Sequence, residues 1–297
     1  MPHLATVLAR GNVVCGIDAA RPDMAGFETD FCRAIAAALF DAPDAIDVRP
    51  LDLSEAPGAL VFGEVDVYVG PNDQAWPDTH VNLTLFYDAA GAIARNDVGI
   101  RQLIDMKFAT ICLIQDSIEE RLFNEAAQAA RVKYQSLLFN AGDYDEMYKA
   151  YDQGRCDVVV DNRVRLAQRQ PELTVPRDHA PLDLVLPIGT RGPLASSDDA
   201  NWAAIVDTIG NSLVHAEELR VDSAGLDAAL TSDNTNIRQL LGIDGNIGSS
   251  LSMSNDFVVR VLRHIGNYGE VYTRHFPALP RGPNALAEDR SSTNPLH

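Results

Sequence analysis

The sequence predicts an α/β protein of two lobes, each a mostly parallel sheet flanked by helices. Three observations lead there. The chain has 297 residues, more than one typical domain. Short apolar runs alternate with amphipathic helical stretches, the pattern of helices layered on a parallel sheet. A short internal echo then repeats one unit in both halves of the chain.

The elements follow in order. Asn12 to Asp18 (NVVCGID) reads as the first strand. Phe27, Phe31, Ile35 and Leu39 recur every four residues and give the next helix one apolar face, until Pro43 stops it. Ala45 to Leu51 is the second strand. In the second half, Ala109 to Gln115, Val132 to Phe139 and Cys156 to Asp161 are strands, separated by helices at about 117–131 and 143–153. Pro181 to Gly189 reads as a return strand, and Gly189-Thr190-Arg191-Gly192-Pro193 breaks the pattern. Ser197 then caps a helix carrying Trp202, Ile205, Val206, Ile209 and Leu213. A further helix begins near Asn255, and the last residues, up to His297, are polar and expected to fray.

The echo pairs Gly63-Glu64-Val65-Asp66-Val67 with Gly154-Arg155-Cys156-Asp157-Val158. Each glycine suits the left-handed residue that ends a helix. Each copy then launches a β-branched strand that runs into polar residues, Asn72 and Asp73 in one, Asp161 and Asn162 in the other. The expected organisation is a discontinuous first lobe (1–94 plus 188–297) and a continuous second lobe (95–187). The two crossings between them would act as a hinge.

Charge and composition narrow the function. With 42 acidic and 24 basic residues the formal charge is −18, which repels nucleic-acid phosphates and anionic lipid. No apolar run approaches the roughly 20 residues needed to span a bilayer. After Met1 the chain shows neither a basic n-region nor an apolar h-region, so either the protein is cytoplasmic or an exported form begins at its mature end, the signal peptide removed. Cys15 and Cys32 fall in the first half, Cys112 and Cys156 in the second, none in metal-ligand spacing. Four buried free thiols are one reading. Two intra-lobe disulfides in an oxidising compartment are the reading preferred here. No GxSxG, HExxH, P-loop or strand-linked GxGxxG is present, so no enzyme class, cofactor or metal is indicated.

Several stretches together carry a family resemblance. They are LARG leading into VVCGI, FCRAIAAALF, the paired GEVDV and AYDQGRCDVVVD, the stretch from NTNIRQLLGIDGNIGSS to VYTRHF that contains NYGE, and RGPNAL. Nearly end to end, the chain resembles the periplasmic binding proteins of ABC importers for general L-amino acids. The four cysteines also lie where that family tends to place them. The resemblance implies the two-lobed type II binding-protein fold, a small solute held in a cleft between the lobes, and a periplasmic, monomeric, non-enzymatic receptor. Its partner would be an ABC permease of the inner membrane or another periplasmic protein.

Residue by residue, the implied pocket is altered. The family holds the ligand carboxylate with an arginine after the GEVDV strand. No arginine occurs between Arg49 and Arg95, and His80, near that place, reads as a surface residue. A Thr-Gly-Thr-like turn is replaced by Gln115-Asp116-Ser117-Ile118, in which Asp116 or Ser117 caps a helix or contacts ligand. Asp161 matches the acid that pairs with the ligand ammonium and is the first choice for a ligand contact. Arg163 and Arg165 beside it read as solvated charges at a helix start, with a relocated anion site as the alternative. Asp18, Asn72 and Asp73 stand at strand ends. Trp76 and Phe27 both offer stacking surfaces, although the register of Phe27 with Phe31 favours the core for it.

The expectation is therefore a small polar solute other than an ordinary α-amino acid, with a cationic or neutral one suiting Asp73, Asp116 and Asp161. A pocket-degenerate accessory or sensory protein is the alternative, and a cleft dehydratase on the same fold a more distant one.

Overall fold

A computed structural model describes residues 3–74, 76–80 and 83–285. The polar tail expected to fray (286–297) lies outside the described residues. The fold is mixed α/β, and the chain forms two compact units. The first comprises the chain up to Phe86, Thr190–Pro277 and the residues from Arg281; the second comprises Tyr87–Gly189 and Ala278–Pro280.

In the first unit, α1 (His3–Arg10) leads into β1 (Val13–Asp18), α2 (Ala25–Phe40), β2 (Ile46–Leu51), α3 (Ala56–Val61), β3 (Val67–Pro71) and the two-residue β4 (Thr79–His80). β1 pairs in parallel with both β2 and β3. The Arg191–Leu194 stretch of β10 (Leu186–Ser196) closes the other side of β3 in antiparallel register. Every residue of β1 is buried, because helices cover both faces. Phe27, Phe31 and Ile35 of α2 are core residues, as their four-residue spacing demands. Phe27 sits in an aromatic cluster with Phe86, Tyr268 and Phe276, so it is not a ligand-stacking surface.

The unit is completed by α7 (Ala200–Glu218), the short α8 (Leu226–Ala229), α9 (Thr235–Leu240) and α10 (Ile247–Ser250), then α11 (Phe257–His264) and α12 (Tyr268–His275). Asn267 opens α12 with a capping box: its side chain accepts the Glu270 N–H at 3.0 Å, and Glu270 accepts the Asn267 N–H at 2.8 Å.

In the second unit β5 (Phe86–Arg95, counted here from Tyr87) pairs antiparallel with β8 (Val158–Asn162). β8 pairs in parallel with β6 (Thr110–Ile114), and β6 with β7 (Gln135–Phe139). The short β9 (His179–Pro181) lies along β5. α4 (Ile118–Ala129), α5 (Tyr144–Asp152) and α6 (Arg163–Arg169) supply the covering layers. One core cluster gathers Ile111, Leu113, Phe123, Val158 and Val160; another gathers Cys112, Met147, Tyr151 and Val159 on the opposite faces of the same strands.

The sequence echo is also an echo of geometry. Gly63 and Gly154 both have positive φ, +69° and +73°, and end α3 and α5. The aspartate of each copy then pins the start of a strand of its own unit, β1 in the first and β6 in the second. The Asp66 carboxylate accepts the Val14 N–H at 2.7 Å while the Asp66 N–H donates to the Val14 carbonyl at 2.8 Å. Asp157 makes the same two bonds with Thr110, both at 2.8 Å. Two disulfides, Cys15–Cys32 and Cys112–Cys156, tie strand to helix in the first unit and strand to strand-start in the second.

Three local expectations need correction. The Gly189–Pro193 stretch does not break the pattern but lies inside β10, and Pro181–Gly189 is divided between β9 and the start of β10. Gly192 is accommodated there because a Cβ would come within 2.2 Å of the Leu83 carbonyl oxygen. The α7 cap is Asp199, whose carboxylate accepts the Trp202 N–H, rather than Ser197.

Candidate functional site

The first unit carries its polar residues at the carboxyl ends of β1 and β3, where open α/β sheets hold ligands. Asp18, the last residue of β1, is buried, and its carboxylate accepts from Arg191 Nη2 at 2.7 Å and from the Ala20 N–H at 3.0 Å. The same guanidinium reaches Glu28 of α2 at 2.6 Å, and the second oxygen of Glu28 accepts the Asp18 N–H at 3.1 Å. Burial pushes the Glu28 carboxyl up to about 7, more than the adjacent Arg191 pulls it down. Two carboxylates thus share one buried cation.

Asn72 is also buried, and its amide bridges local structure. It donates to the Leu83 carbonyl at 2.8 Å and accepts from the Thr190 hydroxyl at 2.8 Å. Asp73 is exposed. Trp76 is half-buried and leans on Tyr68, ring centroids 5.5 Å apart. His80 is not a free surface residue: its Nε2 lies 2.8 Å from Asp207 of α7.

In the second unit Asp161, near the end of β8, is only 2% exposed. Its carboxylate accepts Arg165 Nε at 2.9 Å to both oxygens, the Tyr148 hydroxyl at 3.0 Å and the Asn162 N–H at 2.7 Å. Burial raises the Asp161 carboxyl to about 6 against the pull of Arg165. Arg165 is therefore a buried partner, not a solvated helix-start charge; it also lies 3.5 Å from Glu119 and over the Tyr144 ring, 4.0 Å from its centroid. Asn162 turns inward to Asp88, donating at 2.8 Å.

Asp116 and Ser117 stand at the start of α4. Ser117 is the cap, accepting the Glu120 N–H at 3.1 Å. Asp116 is exposed, at φ +60°, and its N–H meets Glu120. They line an open depression of about 650 Å³ that also includes Arg121 and Asn124.

Sequence reasoning missed Glu28, Arg191, Tyr68, Tyr148 and Asp88. One signal pointed to Arg191, and another to the pairing of Arg165. Arg191 is a lone charge in an apolar strand, and Arg165 is four residues from Asp161, the spacing of a side-chain ion pair. Among the described residues no cluster of His, Cys, Asp and Glu can hold a metal ion, and no helix is long and apolar enough to cross a membrane.

No family model matches the chain. Individual proteins do. It is 30% identical over 306 residues to the general L-amino acid-binding periplasmic protein AapJ of Rhizobium johnstonii, covering 95% of this chain and 89% of that one. The chain belongs to the periplasmic amino-acid-binding proteins of ABC transporters. A second relative in this family, the glutamate/glutamine/aspartate/asparagine-binding protein BztA of Rhodobacter capsulatus, is 31% identical over 304 residues, with 95% and 89% coverage. Among solved structures, a periplasmic binding protein from Brucella ovis with glutathione bound is 29% identical, with a TM-score of 0.74 over 96% of this chain and 95% of that one. The type II binding-protein fold of this family is thus the fold of this chain.

Proposed function

We propose that the protein is the periplasmic solute receptor of an ABC importer, not an enzyme, and that its solute is a small peptide-like molecule rather than a free α-amino acid. One observation carries this reading. The buried carboxylates at the strand ends, Asp18 in one unit and Asp161 in the other, each already hold a guanidinium of the chain. Neither of these two acids is free to take an α-ammonium group, and displacing Arg165 or Arg191 would strand a charge. Polar groups at the strand ends of each unit then select by hydrogen bonding more than by charge. The glutathione in the Brucella ovis relative makes that tripeptide the first probe. Delivery to an inner-membrane permease follows from the family role.

A thermal-shift screen of the twenty standard L-amino acids, glutathione, γ-glutamyl dipeptides, polyamines, betaines and organic acids tests the proposal. At about 100 times Kd, a ligand adds roughly 2.7 kcal/mol, a rise of several degrees for a chain this size. Glutathione or a γ-glutamyl dipeptide should register and free amino acids should not. A broad amino-acid response overturns the peptide-like assignment. Silence across the panel favours the second reading, an accessory protein acting through a protein partner, which the internally satisfied carboxylates equally support.

A further inference from the structure

Tyr68 of β3 is fully buried, and its hydroxyl has no hydrogen-bond partner among the described residues. Such a group is costly, since the phenol has given up water without replacement. Phenylalanine would fill the same volume without that cost. The ring runs along the strand toward its carboxyl end, over Gly70, where a Cβ would come within 2.6 Å of the hydroxyl oxygen. The parallel register Ile17↔Val69 sets this point beside Asp18, at the ligand-facing end of the sheet. Half-buried Trp76 packs against Tyr68, with its ring tilted 37° to that of Tyr68. Residues 76–78 form neither helix nor strand.

We infer that the Tyr68 hydroxyl is a hydrogen-bond donor for the solute, exposed when the Trp76 indole shifts, and that it takes an amide carbonyl. The choice of acceptor follows from the surroundings. Burial and the nearby carboxylates of Asp18 and Glu28 hold the phenol protonated, so it can donate but carries no charge. The Arg191 guanidinium is already paired with Asp18 and Glu28 and is no vacant anchor for an incoming carboxylate. An uncharged acceptor, the carbonyl of a peptide bond, meets the phenol without needing that anchor. This rests on the receptor reading above and narrows its ligand to solutes containing an amide.

The test compares the full chain with Tyr68→Phe. Removing an unpartnered hydroxyl should raise the melting temperature of the ligand-free protein by about 2 °C or more, while glutathione binding, read by titration calorimetry, weakens about tenfold. In a Trp202→Phe background Trp76 is the sole tryptophan, and glutathione should change its emission. Unchanged glutathione affinity in Tyr68→Phe, or a ligand-free variant less stable than the parent, overturns the inference and leaves the receptor reading intact. A wild-type protein silent to the whole panel removes both.

Discussion

Arg165 lies across the carboxylate of Asp161, its Nε 2.9 Å from each oxygen, and over the Tyr144 ring. The acid that family resemblance assigns to a ligand ammonium is here neutralised by a side chain four residues away. Asp161 is thus part of the unit's own polar core, and its removal tests structure as much as binding.

Truncating the cation should be expensive at high pH. Arg165→Met leaves Asp161 buried without its partner, a loss of about 3–5 kcal/mol. Because an unpaired Asp161 escapes the penalty by taking a proton, the loss should shrink toward pH 5. Urea unfolding at pH 5 and pH 8 measures this, and a pH-independent loss would contradict the pairing.

Glu28 gives a second pH signature. Its folded value of about 7 lies above the ordinary 4.5, so the native state holds more protons than the unfolded chain between those limits. Its contribution is fully present below pH 4.5 and is lost as pH rises through 7, by about 3 kcal/mol at most. Asp161 acts in the same direction between 3.8 and about 6. Glu28→Gln cannot titrate, so the stability difference between variant and wild type should move in the variant's favour from pH 4.5 to 7.5. A constant difference across that range would show that Glu28 does not titrate in the native state.

The two disulfides close loops with sequence separations of 17 and 44 residues. Loop-closure entropy assigns them about 3 and about 4 kcal/mol. Replacing Cys112 and Cys156 with alanine should therefore lower the melting temperature more than replacing Cys15 and Cys32. Without reductant, a thiol titration of the denatured wild type should find no free cysteine.

Asn267→Ala removes the α12 cap and also the bond from its amide to the Val221 carbonyl at 3.0 Å. The expected cost is about 1–2 kcal/mol, read by chemical denaturation. Asn267→Asp should keep the cap but still lose the Val221 bond, and so fall between the two.

What the sequence by itself determined was local in origin. Strand and helix periods are written within a few residues, so β1, α2, β6 and β8 were legible to within one or two positions. The GEVDV and GRCDV copies marked two related units because Gly63 and Gly154 needed positive φ and Asp66 and Asp157 needed to hold a strand start. Tertiary structure alone decided the partners of the polar residues. Arg191 is 173 positions from Asp18 and 163 from Glu28, and no periodicity links side chains that meet only when β10 closes the sheet beside β3. Asp161 looked available because a strand end says nothing of what packs over it. Burial, and with it the cost of leaving a charge or a hydroxyl unpaired, exists only once the chain has folded.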